Sequence, residues 1–219
     1  MNRTKAVIFD FDGVVLDSAN IKTEAFLELF KEFPEYQQAI KEYHIEHQGI
    51  TRYKKFEWIY SELLNKPYNE EIKEKLGKGF SELVFKKIMK ADALPGAIEF
   101  LESLKNNIPA YIASGTPDIE LNKIVKGRHF ETYFKAVYGS DISKEEAIDR
   151  VADLESAKNS EMLFIGDAIT DYKAATSRDV PFIAVYSDEM KEYWQNRGIE
   201  PVNNLMEIHE KMDQLVLDE

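Results

Sequence analysis

Five short apolar runs recur along the chain, at Ala6–Phe9, Ala110–Ala113, Ala136–Tyr138, Met162–Ile165 and Pro181–Val185. Each is too short for a helix and rich in strand formers. Segments of helical character lie between and after them, at 97–105, 118–126, 143–157, 170–178 and 188–196. Strands alternating with helices predict an α/β fold, a Rossmann-like parallel sheet covered on both faces.

One stretch breaks the alternation. From about Asp17 to Ala91 no strand-like run occurs, and apolar residues recur at helical spacing. Phe26, Leu29, Phe30 and Phe33 form one set, and Phe56, Ile59, Tyr60, Leu63 and Leu64 a second. The segment 69–90 carries a third, with Ile72, Leu76, Phe80, Leu83 and Phe85. This predicts a helical cap over residues 17–91, inserted after the first strand of a core built from 1–16 and 92–219. Leu94-Pro95-Gly96 punctuates the return to the core. A chain of 219 residues, 44% of them apolar, has enough material for both parts.

Composition removes several function classes. The chain has no cysteine, which excludes disulfides, thiolate catalysis and thiolate zinc sites. Its 40 acidic and 28 basic side chains give a net charge of −12, which opposes nucleic acid and anionic membrane surfaces as partners. An anionic substrate would need a local positive site. Met1–Lys5 lead straight into the first strand, with neither a signal peptide nor a membrane span in view, so a cytoplasmic location is expected.

Four motifs follow predicted strands. Phe9-Asp10-Phe11-Asp12-Gly13 closes the first. Side chains two apart on an extended backbone point the same way, so Asp10 and Asp12 can face one site. Ligands of open parallel sheets bind beyond the carboxyl ends of the strands, and two carboxylates there suit magnesium. An Asp-Gly pair also makes simple turns, and an Asp also caps helices. A calcium loop fails on register, because with Gly13 at the glycine position Ile8 would fall on the first ligand and Ala19 on the bidentate one.

The second motif, Ser114-Gly115-Thr116-Pro117, offers a hydroxyl and free N–H groups at a strand-to-helix turn, which suits either a phosphate or an ordinary cap. In the third, Lys144 stands at a helix start, where the dipole disfavours a cation unless an anion lies near. The fourth is Phe164-Ile165-Gly166-Asp167 with Asp171 four residues on. Asp167 would complete a metal site with Asp10, and Asp171 either binds metal, orients water or caps its helix.

Taken together, Asp10-x-Asp12-Gly13, Ser114, Lys144 and Gly166-Asp167-x-x-x-Asp171 resemble the four motifs of the haloacid dehalogenase superfamily. The helical insertion is similar to that of its members with an α-helical cap, the β-phosphoglucomutase and phosphoglycolate phosphatase groups. Val14 replaces a common threonine, and Glu145 a common proline after the lysine. The resemblance implies a magnesium-dependent phosphatase acting on a small phosphorylated molecule, as monomer or homodimer. Asp10 would be the nucleophile that becomes phosphorylated, and Asp12 the proton-transfer partner. Asp10, the Asp12 carbonyl, Asp167 and Asp171 would hold Mg2+, while Ser114, the Gly115 N–H and Lys144 would hold phosphoryl oxygens. In the cap, His47-Gln48-Gly49-Ile50-Thr51-Arg52, followed by Lys54 and Lys55, resembles a loop that related capped enzymes place over the substrate. Arg52 is its expected substrate contact, against the alternative of a solvent-facing basic helix start. A sugar phosphomutase shares the same core set. A phospho-accepting receiver-type domain would leave the helical insertion unexplained, and a silent binding protein would leave the polar groups unexplained.

Overall fold

A computed structural model describes residues 4–47 and 50–215. Five parallel strands form one sheet in the order β3-β2-β1-β4-β5, namely β1 (Ala6–Phe9), β2 (Ala110–Ala113), β3 (Phe134–Tyr138), β4 (Met162–Gly166) and β5 (Phe182–Ala184). The α/β reading with a parallel sheet is correct. Two compact units divide the chain: Met1–Asp17 with Asp92–Glu219, and Ser18–Ala91. Ten α-helices accompany the strands among the described residues. Four lie in the second unit: α1 (Ala19–Leu29), α2 (Gln37–Glu46), α3 (Arg52–Trp58) and α4 (Glu70–Ile88). The sheet unit carries α5 (Ala97–Leu104), α6 (Asp118–Gly127), α7 (Lys144–Glu155), α8 (Ile169–Ser177), α9 (Lys191–Gln195) and α10 (Ile208–Leu215).

The central position of β1 follows from its composition. Ala6, Val7, Ile8 and Phe9 are all fully buried, and only a strand flanked on both edges and covered on both faces can bury every residue. Alternation sends Ala6 and Ile8 to one face, where they join Ala147, Ile148 and Val151 of α7 and Ala174 and Ala175 of α8. Phe9 points the other way, packing edge-on against Phe100 of α5 at 6.0 Å and Phe134 of β3 at 5.9 Å. Each such side chain contributes about 1.5–3 kcal/mol on burial.

The boundaries that differ have local causes. β3 begins at Phe134, two residues before the apolar run, because it is an edge strand that tolerates the exposed Lys135. β5 starts after Pro181, which has no N–H to give the ladder but accepts from Phe164 N at 2.9 Å. Residues 188–196 split into a 3-10 turn, Asp188–Met190, and α9.

In the second unit the expected apolar sets pack as an aromatic cluster. Phe26 meets Phe80 at 4.6 Å and Phe56 at 5.5 Å, and Phe56 meets Phe80 at 5.9 Å. A fourth helix, α2, was not singled out by periodicity, because only Ile40 and His44 on it are buried. The second apolar set forms two pieces, with α3 widening into a π-helical turn at Ile59–Leu63. No described helix is long and apolar enough to cross a membrane.

Candidate active site

The order β3-β2-β1-β4-β5 places the chain reversal at β1, and open sheets of this kind bind ligands in the crevice beyond such a point. Register carries the motifs there. Phe9 pairs with Ile112 of β2 and with Ile165 of β4, so the residues that follow each strand emerge side by side. Asp10 N donates to Ile165 O at 2.9 Å, holding the first acidic residue against the exit of β4.

Asp10, Asp167 and Asp171 each offer a carboxylate oxygen, and these atoms lie within 4.8 Å of one another. All three side chains are buried. Asp10 is oriented by two contacts: its Oδ1 accepts from Phe11 N at 2.6 Å, and its Oδ2 accepts from Lys144 Nζ at 2.9 Å. Asp171 also binds Lys144, through Oδ1, while its Oδ2 accepts from Ala168 N at 2.9 Å. It thus serves both as a cap of its own helix and as a member of the cluster. Lys144 is the first residue of α7, with Ser143 Oγ accepting from Glu146 N at 3.1 Å to cap that helix. Its anionic neighbours are Asp10 and Asp171.

Two glycines let these acids approach. Gly13 has φ +78°, and a Cβ built on it would sit 2.1 Å from Asp167 Oδ2. A Cβ on Gly166 would lie 2.3 Å from Asp171 Cβ. Gly13→Ala therefore meets both an unfavourable left-handed backbone, costing about 1–2 kcal/mol, and the Asp167 carboxylate. The variant is expected to unfold about 2–8 °C lower. Thermal unfolding followed by circular dichroism checks this, and an unchanged Tm would show that the loop relaxes freely.

Asp12 stands on a different contact. Its Oδ2 accepts from Thr116 Oγ1 at 3.0 Å, and Thr116 N donates to Ser114 Oγ at 3.2 Å. The turn after β2 is thereby tied to the turn after β1. Ser114 is buried, its N–H donates to Tyr138 O at 2.9 Å, and Gly115 beside it is partly exposed. Thr116 lies within the second motif, where its residue type alone assigns it no role. The signal was the hydroxyl two residues beyond Ser114.

The electrostatics are lopsided. Four buried carboxylates, Asp10, Asp12, Asp167 and Asp171, gather near one partly buried ammonium. Asp167 is 4% exposed and has no hydrogen bond or ion pair among the described residues. Burial, then the charges of Asp10 and Asp171, pushes it well above the usual carboxylate range. Burial likewise pushes Asp171 up to about 6, against the pull of Lys144. Burial works to lower Lys144, but Asp10 and Asp171 outweigh it and hold its ammonium above the ordinary lysine value. An all-oxygen donor set with uncompensated negative charge fits a hard divalent cation such as Mg2+.

Arg52 belongs to the other unit and is described within it. It is 7% exposed, its Nη1 donates to Ser81 Oγ at 2.8 Å, and its guanidinium lies 4.6 Å from the centre of the Phe80 ring. The solvent-facing alternative for this helix start does not hold, since Arg52 and Lys55 are buried and only Lys54 is exposed. Gln48 and Gly49 of the preceding loop lie outside the described residues.

Comparison with known proteins gives a consistent picture. The family model described as haloacid dehalogenase-like hydrolase matches residues 7–185. A 5'-nucleotidase of Pseudomonas aeruginosa is 30% identical over 99 residues, covering 43% of this chain and 44% of the relative. The chain thus aligns with less than half the length of that relative. Among solved structures, a β-phosphoglucomutase from Clostridium difficile superposes with TM-score 0.72 at 21% identity, covering 97% of this chain and 99% of the other. A family IA hydrolase from Entamoeba histolytica gives TM-score 0.77 at 22% identity over 97% and 99% of the two chains. At these identities the likeness concerns the fold.

Proposed function

The chain belongs to the haloacid dehalogenase-like hydrolase family, and on that premise we propose that it hydrolyses a small-molecule phosphomonoester through a phosphoaspartate on Asp10. The supporting observation is the buried acidic cluster beside a lysine, in which Asp10 is held at both carboxylate oxygens and Asp167 has no hydrogen-bond or ion-pair partner among the described residues. A site with that charge balance is costly to keep for stability alone. It suits a reaction in which a cation and a phosphoryl group complete the constellation.

Asp10, Asp167 and Asp171 would hold Mg2+, with the Asp12 carbonyl as a further ligand. When bound, the ion neutralises charge on the phosphoryl oxygens and lessens their repulsion from the carboxylates. Asp10 attacks phosphorus, the bond to the ester oxygen breaks, and Asp12 gives that oxygen a proton. The ionised Asp12 then takes a proton from water as the water attacks phosphorus, releasing phosphate and restoring Asp10. Lys144 keeps the Asp10 carboxylate aimed and, with Ser114 and the Gly115 N–H, offers donors to phosphoryl oxygens. Thr116 positions Asp12 for both proton transfers through its hydrogen bond.

Thr116→Val keeps the shape and removes that hydrogen bond. It is expected to lower kcat about 10–100-fold, the size typical of a residue that orients a functional group, with KM much less affected. Equal losses in kcat and in substrate affinity would place Thr116 on the substrate instead.

Phosphate release across sugar phosphates, phosphoglycolate, nucleotides and polyol phosphates, with and without Mg2+, tests the whole reading. Nucleotides enter the panel because of the nucleotidase relative. Mg2+-dependent release from at least one class is the expected result. An isomerised sugar phosphate without free phosphate would replace hydrolysis by mutase chemistry. A stable phosphoenzyme without turnover would point to a receiver, and no phosphate chemistry at all would overturn the proposal.

A further inference from the structure

Within the helical unit Ser18–Ala91, Lys55 is a buried cation for which the described chain supplies no anion. It lies on α3 and is 3% exposed. Its Nζ contacts His44 Nδ1 at 2.8 Å and donates to His44 O at 3.2 Å. Among the described residues no carboxylate comes within 4.0 Å of it, and it has no further hydrogen-bond partner. An ammonium has three N–H groups, so one donor is unused.

His44 does not supply the missing charge. Burial, with the charges of Lys55 and Lys22, lowers it to about 2, so the imidazole is neutral. Nδ1 then accepts from Lys55, and the ring proton is assigned to Nε2. The surroundings are largely aromatic. The Phe26 ring centre is 5.6 Å from Lys55 Nζ, and Phe26 stands in the aromatic cluster with Phe56 and Phe80. Burial, then Lys22, lowers Lys55 to about 7. Arg52, one turn earlier on the same helix, is buried over Phe80 in that cluster.

The chain has 40 acidic side chains, and among the described residues none lies beside this lysine. Aromatic contacts recover part of the desolvation of a cation but leave its charge uncompensated. An apolar residue at position 55 would pack in the cluster without that cost. The group retained is a compact point charge with a spare donor in a low-dielectric setting, which suits a small oxyanion.

We propose that the helical unit binds a compact oxyanion, a carboxylate or phosphoryl group, against the Lys55 ammonium. Binding restores the full positive charge of Lys55 and gives its third N–H an acceptor. The same chemistry can come from a carboxylate or from a phosphoryl group of a small anion, and the experiment separates the two.

The first arm uses the full chain with 13C-labelled lysine and follows the Lys55 Cε resonance against pH, with and without glycolate. Glycolate is expected to raise the Lys55 midpoint from about 7 by about one unit or more, the mark of a tenfold preference for the charged lysine. Lys55→Met should weaken glycolate binding at least tenfold by calorimetry while unfolding at a higher temperature than the parent. A midpoint indifferent to both glycolate and inorganic phosphate, with calorimetric binding unchanged in Lys55→Met, would overturn the proposal. Neither readout needs turnover, so this arm stands or falls separately from the phosphatase reading.

The second arm repeats both measurements with inorganic phosphate and with ethyl phosphate in place of glycolate, so that a carboxylate and a phosphoryl group are compared on Lys55 itself. A response to glycolate alone assigns the site to carboxylates, a response to the phosphates assigns it to phosphoryl groups, and a Lys55 midpoint and calorimetric binding indifferent to all three would count against the site.

Discussion

Asp10→Asn is expected to remain folded and to lose phosphate release by ~10^3-fold or more, the scale of removing a nucleophile. Asparagine has nearly the same shape, and its carbonyl oxygen can still accept from Phe11 N as Asp10 Oδ1 does at 2.6 Å. What disappears is the carboxylate that would attack phosphorus and one of the two anions that hold Lys144. Asp171 keeps the lysine paired, so the fold is not left with an isolated charge. The check is single-turnover phosphate release at enzyme excess, beside circular dichroism to confirm folding. An intact-mass search for an adduct of phosphate mass should find it in the parent and not in the variant. Residual turnover above about a tenth of the parent would remove the nucleophile assignment, because no partial loss of positioning is that mild.

Removing divalent metal is expected to abolish turnover, and adding it to stabilise the fold. Asp167 has no partner among the described residues, and burial with its acidic neighbours raises both Asp167 and Asp171. A carboxyl raised in the folded state binds protons more readily there than when unfolded. The metal-free protein therefore gains from these two groups at low pH and loses that gain as pH rises above about 4, through about 6 for Asp171. A bound cation would favour the ionised forms and reverse the loss. Mg2+ at a hundred times its Kd would add about 2.7 kcal/mol, or about 5–11 °C in Tm for a chain of this size. The rise should be small near pH 4 and grow toward pH 7. Thermal unfolding with Mg2+ or chelator at several pH values reads this directly. Full turnover in excess chelator, or a Tm indifferent to Mg2+ at pH 7, would contradict the metal role.

These expectations draw on parts of the molecule that differed in how legible they were. The ends of β1 and β4 could be read from sequence, since an apolar run that stops at Asp10 or Asp167 marks both the strand and the acid it presents. Asp171 was open between cap and ligand, and its two carboxylate oxygens divide between both tasks. Thr116 lay inside a motif, yet its bond to Asp12 joins residues 104 positions apart. Helix α2 escaped because a helix with only two buried residues, Ile40 and His44, shows little apolar period. Lys54 and Lys55 are adjacent and chemically alike, but one is exposed and the other buried on His44.

From its residues alone this protein's strand count, its parallel sheet and the acids at the ends of two strands were already determined. These depend on local periodicity and backbone stereochemistry, which repeat every two or 3.6 residues. Tertiary structure alone decided which carboxylates meet Lys144, which one has no partner among the described residues and which lysine loses water. Those outcomes depend on distance and burial across loops, where Coulomb energy and desolvation vary steeply and neighbouring residues of one type can meet opposite fates.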